Sequence, residues 1–156
     1  GFFVVGVDYE LLAVVRAQDQ ARPPDLKPLL HFLVGDLYAL PFRPCSFDAL
    51  LDYGCLHHQR RADWPYYLAA VENVLKPGGY LLLSVFSTAF ESFGPQKRSW
   101  HLAHGAYRRF FTAQDLHALF DGHFDFLNLE EEREDKRGFW HALLRRQSHC
   151  PRTVKA

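Results

Sequence analysis

Residues 74–86 read VLKPGGYLLLSVF, and the switch inside this stretch decides the fold class. Just upstream, Trp64, Tyr67, Leu68, Val71, Val74 and Leu75 recur at helical spacing and form one apolar stripe. Asp63 stands where an N-cap belongs, and Pro65 is tolerated in a first helical turn, where its missing N–H has no partner to lose. Pro77-Gly78-Gly79 then stops the helix and turns the chain. Residues 80–86 follow as a short, nearly unbroken apolar run, the pattern of a strand covered on both faces. A helix that feeds a buried strand through a tight turn is the repeating step of an α/β fold.

The same step recurs on either side. Residues 2–7 are almost all apolar and predict a strand. Leu11, Val14 and Val15 then predict a helix from Tyr9 to about Ala21, ending before Pro23-Pro24. Residues 29–34 and 47–52 read as further strands. Thr112, with Asp115 three residues on, has the form of a capping box, opening a short helix through Leu119. Residues 124–129 and 139–144 are strand-like and flank the charged run 130–136, which reads as a solvated tip. So short a gap leaves no room for a crossover helix, so these two strands should pair antiparallel. The predicted order is β-α-β-β-α-β-α-β-β, an α/β sheet that is mostly parallel and closes with an antiparallel hairpin.

Composition narrows the function. With 48% hydrophobic and 23% charged residues in 156, the chain reads as one globular domain over residues 1–147 with a short tail, 148–156. Lys+Arg and Asp+Glu are both 18, so no net field gathers nucleic acid or an anionic membrane, and neither is an expected partner. No apolar run approaches a membrane span. Cys45, Cys55 and Cys150 are odd in number and widely spaced, which predicts neither a disulfide framework nor a metal knuckle, but a reducing, cytoplasmic setting. His101 and His104, read as a helical pair, lack a third ligand, so no metal is expected. Methionine is absent even at position 1, and the chain is expected to be cut from something longer.

Chemistry-bearing residues gather where strands end. Asp8 follows the first strand; it either accepts hydrogen bonds from ribose hydroxyls or caps the next helix. In dinucleotide-binding folds such an acid lies about 20 residues after a glycine-rich loop, which here would have to precede Gly1. Gly35 permits close backbone approach after the second strand. Asp36 suits either a purine amine or its own backbone, and Leu37 offers an apolar face. The run from Ser46 through Asp52, Tyr53 and Gly54 to His57 and His58 passes from a strand into a loop of the kind that holds ligands in open α/β sheets.

Taken together, VVGVDYE (4–10), GDLYALPFRPCSFDALLDYGCLHH (35–58) and VLKPGGYLLLSVF (74–86) resemble, in order and spacing, the motifs that follow the glycine-rich loop of class I S-adenosylmethionine-dependent methyltransferases. The resemblance runs from Phe2 to about Arg146 and includes the terminal hairpin. It implies a Rossmann-like three-layer sandwich, N-terminally truncated: the family's first strand, glycine-rich loop and following helix have no counterpart here. It further implies that S-adenosylmethionine is the cofactor. Asp8 would hold its ribose, Tyr9 would pack beside the adenine, and Asp36 would meet the adenine amine in a pocket shaped by Gly35 and Leu37. Asp52, Tyr53 and Gly54 would lie by the methionine part.

Methyl transfer is an in-line displacement that needs positioning more than a fixed catalytic group. His57 and His58 are candidates for proton removal, or simply a helix start. Arg108 and Arg109 are candidates for an anionic substrate, or an exposed pair. The favoured function is methyl transfer to a small molecule. A non-catalytic remnant or interaction module, and a nicotinamide-dependent dehydrogenase, are the alternatives. A sheet lacking an interior strand would also offer an edge to a second copy, so a homo-oligomer is possible.

Overall fold

The computed structural model describes residues 1–21, 28–91, 100–103 and 105–148; Pro23, Pro24, His104 and Cys150 lie outside them. The chain divides into two compact units, Gly1–Phe42 and a second from Arg43 onward.

The first unit is a βαβ step. Strand β1 (Val4–Asp8) leads into helix α1 (Leu11–Gln20) and returns in β2 (Leu30–Val34). β1 and β2 pair in parallel from Val4 opposite Leu30 to Asp8 opposite Val34, so their carboxyl ends are level. Gly6 sits opposite Phe32, and a Cβ there would come within 2.6 Å of the Phe32 ring, which is why the strand interior carries a glycine. The helix starts later than Tyr9 because Asp8 Oδ1 accepts the Glu10 N–H at 2.9 Å, holding residues 8–10 in a turn. Val14 is the α1 residue that is buried.

The second unit contains β3 (Phe47–Tyr53), α2 (Trp64–Val74), β4 (Leu75–Phe86), β5 (Trp100–Ala103), β6 (Ala106–Arg109), α3 (Ala113–Phe120), β7 (Phe124–Glu134) and β8 (Arg137–Arg146). Its main sheet has the order β3-β4-β8-β7. β3 and β4 are parallel, β8 runs antiparallel to β4, and β7 antiparallel to β8. The terminal hairpin is thus inserted next to β4. On one face Leu81, Leu83, Val85 and Leu144 are buried; the α2 stripe (Tyr67, Leu68, Val71, Val74) and Leu116 and Phe120 of α3 are buried too. Side chains of this kind contribute about 1.5–3 kcal/mol each when fully buried. The stripe read from sequence is the one that packs.

Several local expectations change. Asp63 occupies the N-cap position of α2 without a side-chain capping bond, because its backbone already continues the single helical turn Arg61–Asp63. The capping box at Thr112 forms in full: Asp115 N–H donates to Thr112 Oγ1 at 3.1 Å and Thr112 N–H to Asp115 Oδ2 at 2.9 Å. The charged run 130–136 is mostly strand. β7 continues to Glu134, leaving Asp135, at φ 51°, and Lys136 as the tip. Its charges are paired along and across the ladder, Arg137 with Glu134 at 2.9 Å and His141 with Glu132 at 2.8 Å. His101 lies on strand β5, not on a helix; β5 and β6 form an antiparallel hairpin through Gly105, at φ 79°. Among the described residues no group of His, Cys, Asp or Glu is placed to hold a metal, and no helix is long and apolar enough to cross a membrane.

Candidate functional site

In the first unit the level strand ends bring two carboxylates to one place. The Gly35 N–H donates to the Asp8 carbonyl at 3.0 Å, extending the ladder one residue past Val34 and setting Asp36 just beyond the Asp8 tip. Asp36 Oδ1 accepts the Tyr38 N–H at 2.9 Å and caps the single turn Leu37–Ala39. Each acid therefore uses one oxygen to shape its own turn: Asp36 bonds its own backbone as read, whereas Asp8 holds the Glu10 N–H and does not cap α1, whose N-cap is Glu10; both residues stay exposed. Gly35 is needed: a Cβ would lie 3.0 Å from both Leu33 and Val7. Tyr9 is 82% exposed beside Asp8, and Leu37 is half-buried beside Asp36. Two fixed carboxylates flanked by an exposed ring suit a ligand that carries hydroxyls, an amine and an aromatic base.

In the second unit Asp52 does something other than face a ligand. It is buried, and its two oxygens accept the Cys55 N–H at 2.7 Å, the Leu56 N–H at 3.0 Å and the Tyr67 hydroxyl at 2.7 Å. The expectation that its side chain meets a cofactor gives way to an internal role, because a buried carboxylate must satisfy its lone pairs and the loop amides do so. Burial pushes its pKa up, opposed by those hydrogen bonds, and burial with the neighbouring Asp52 charge pushes the Tyr67 phenol well above its usual range. What Asp52 contributes is the shape of the loop 52–58.

That loop delivers Tyr53, Gly54, His57 and His58 to a pocket of about 300 Å³, completed by Ser84, Phe86 and Phe139. Gly54 has φ 103° and leaves its Cβ position open 3.5 Å from the edge of the His57 ring. His57 is buried and stacks on Phe86 with ring centres 3.7 Å apart. Its Nδ1 accepts the Phe86 N–H at 3.3 Å, which leaves Nε2 as the N–H nitrogen. Burial first, then the charges of His58 and Arg108, push its pKa down to about 3, so the ring is neutral near pH 7. His58 is exposed, with Nδ1 2.6 Å from the Tyr107 carbonyl. A carbonyl only accepts, so this nitrogen carries the hydrogen and, in the neutral ring, Nε2 is the basic one.

Strand alternation separates Arg108 from Arg109. The Arg108 charge acts on His57. Arg109 is buried, 5.3 Å over the Trp64 ring and 3.4 Å from Asp115. It serves packing at the start of α2 and α3, which corrects its reading as a substrate contact. Ser84, Phe86 and Phe139 were not singled out from sequence. For Ser84 the signal was there: it is the one polar residue in the apolar run 81–86.

Comparison with known proteins bears on both units. Residues 1–83 match the family model described as a methyltransferase domain. The chain is 31% identical over 103 residues to 2-phytyl-1,4-naphtoquinone methyltransferase of Synechocystis sp., a match covering 64% of this chain and 41% of that protein. It is 34% identical over 98 residues to demethylmenaquinone methyltransferase of Renibacterium salmoninarum, covering 61% and 36%. The matched stretch thus spans well under half of either relative. Among solved structures, the 1,6-didemethyltoxoflavin-N1-methyltransferase of Burkholderia thailandensis, with bound 1,6-didemethyltoxoflavin and S-adenosylhomocysteine, aligns at TM-score 0.71 and 25% identity over 93% of this chain and 61% of its own. A methyltransferase structure from Methanosarcina mazei aligns at TM-score 0.74 and 21% identity, covering 94% and 82%, a likeness of fold. The α/β, Rossmann-like class read from sequence holds.

Proposed function

Since the chain belongs to the methyltransferase domain family, we propose that it acts in S-adenosylmethionine-dependent methyl transfer to a small-molecule acceptor. The observation that carries this reading is the pair of exposed carboxylates, Asp8 and Asp36, at the level carboxyl ends of two parallel strands. The donor set fits the cofactor. Asp8 suits the vicinal ribose hydroxyls, Asp36 the exocyclic amine of adenine, and the exposed Tyr9 ring and Leu37 give the base a face. Gly35 keeps the backbone close enough for Asp36 to follow directly on the ladder.

Held by Asp8 and Asp36, the cofactor would supply a methyl group on a sulfonium, which an acceptor's nucleophile would take while the bonding pair stays with sulfur as a thioether. The acceptor we assign to the pocket of the second unit, where Tyr53, Gly54, His57 and His58 meet. There the chain's own work is to orient and to move a proton. His57, neutral and with Nδ1 engaged, acts as a hydrogen-bond donor through Nε2 and not as a base. His58, held through Nδ1 by the Tyr107 carbonyl, presents Nε2 as the proton acceptor. Arg108 adds positive charge beside the pair.

The relatives' names support a small-molecule acceptor, since they specify 2-phytyl-1,4-naphtoquinone, demethylmenaquinone and 1,6-didemethyltoxoflavin. The balance of 18 basic and 18 acidic residues supports the same class over nucleic acid. Three widely spaced cysteines are in keeping with a reducing, cytoplasmic setting. Among the described residues β3 is an edge strand of its sheet and carries the exposed Leu51 and Tyr53, so a second copy is the partner we assign to that edge; light scattering that finds a strict monomer at all concentrations removes this element.

Equilibrium dialysis against tritiated S-adenosylmethionine tests the main reading. Retention that S-adenosylhomocysteine displaces and NAD⁺ does not is the expected result. Displacement by NAD⁺ alone would move the assignment to a dehydrogenase, and no retention would leave a non-catalytic module.

A further inference from the structure

The feature that the methyltransferase reading leaves unexplained is Ser84. It is 4% exposed, and its hydroxyl is buried without a hydrogen-bond partner. Buried hydroxyls are satisfied almost everywhere in folded proteins, so one that is not points to a missing partner. Ser84 lies on the face of β4 opposite the core positions Leu83 and Val85, in register with Tyr53 of β3, and it lines the same pocket as His57.

The rest of the pocket defines what that partner must be. His57 brings a second donor, because its Nδ1 is occupied by the Phe86 N–H and the remaining ring nitrogen must carry hydrogen. Its low pKa keeps it from acting as a cation or a base near neutrality. The walls are flat and apolar. Phe86 stacks on His57 at 3.7 Å and lies 5.4 Å from Phe139, and both rings line a space of about 300 Å³. Hydrogen-bond donors set among aromatic walls select a flat ligand with an accepting oxygen.

We propose that this pocket takes a flat aromatic acceptor bearing a ring oxygen, the ring lying against Phe86 and Phe139 and the oxygen accepting hydrogen bonds from Ser84 Oγ and His57 Nε2. The identification of this ligand as the methyl acceptor rests on the methyltransferase reading; its binding does not. The oxygen accepts from the Ser84 hydroxyl and fixes the ring's orientation, while the aromatic walls fix its plane.

The test uses the full chain and three probes: 2-naphthol, naphthalene and decahydro-2-naphthol. Binding is followed by long-range ¹H–¹⁵N spectra of the histidine side chains and by titration of the Ser84 amide. The expected result is that 2-naphthol shifts the His57 Nε2 resonance and the Ser84 amide. Naphthalene, without the oxygen, and decahydro-2-naphthol, without the flat ring, should each bind roughly 10-fold more weakly. Ser84→Ala should weaken 2-naphthol roughly 3- to 10-fold, the loss of one hydrogen bond, and leave naphthalene unchanged. His57→Gln, which keeps a donor but not the stacked ring, should weaken both aromatic probes. Equal binding of the saturated alcohol, shifts confined to other residues, or unchanged 2-naphthol affinity in Ser84→Ala overturns the proposal. Calorimetry with S-adenosylhomocysteine on the same samples separates the two claims: Ser84→Ala should leave it as in the unsubstituted chain, and its failure there would remove the methyltransferase reading without touching the naphthol result.

Discussion

His57 ties burial to pH in a way that can be measured. Its pKa falls from 6.5 to about 3 on folding, chiefly by burial. The unfolded chain therefore binds the proton more tightly, and stability falls as pH drops through 6.5 toward 3, by about 1.4 kcal/mol per unit once below 6.5. Above pH 6.5 the contribution is fully present. Urea unfolding at pH 7 and pH 5 should show the unsubstituted chain losing about 2 kcal/mol more than His57→Gln over that interval. Equal losses would mean that the imidazole is not held neutral. The comparison cancels Asp52, whose raised pKa acts in the opposite sense. At Asp52 the test is different. Tyr67→Phe removes the one side-chain donor among the groups that bond the buried Asp52 carboxylate and should destabilise by about 1–3 kcal/mol. Single residues at strand ends were legible in the sequence because turn chemistry is local: Asp8 and Asp36 stand where they were read. Asp52 and Arg109 were not, since which way a side chain points depends on burial by α2 and α3, and that is a long-range fact.

Elements were read best where their signals are periodic or capped. The α2 stripe and the Thr112–Asp115 box both form as their residues imply. Thr112→Ala should cost α3 about 1 kcal/mol and lower the melting temperature by roughly 2–4 °C, measured by circular dichroism. An unchanged melting temperature would mean that the box is redundant with the Arg109–Asp115 contact. The β5–β6 hairpin escaped notice because His101, Arg108 and Arg109 break the apolar alternation that marks a strand. Charge likewise disguised the end of β7, where ion pairs rather than apolar contacts line the ladder. Gly138 gives this hairpin a sharp test. A Cβ there would come within 2.9 Å of the backbone at Ala89 and Phe90, so Gly138→Ala should destabilise by roughly 1–3 kcal/mol in urea unfolding.

For the molecule as a whole, the alternation of helix and strand was enough to give the α/β class, and the order of three motifs was enough to give the family. What the sequence could not supply was the pocket, because Ser84, His57 and Phe139 come from three strands or loops brought together by register. The claim on which the proposed function depends is that the level strand ends of the first unit hold an adenosine-bearing sulfonium cofactor. Isothermal calorimetry with S-adenosylhomocysteine on the chain and on Asp8→Ala tests it most directly. The account predicts saturable heat at one site, a gain of about 2.7 kcal/mol in stability at ligand a hundredfold above Kd, and roughly 10-fold or greater weakening in Asp8→Ala. Absence of heat and of thermal stabilisation, or an Asp8→Ala chain that binds as well as the original, would contradict it.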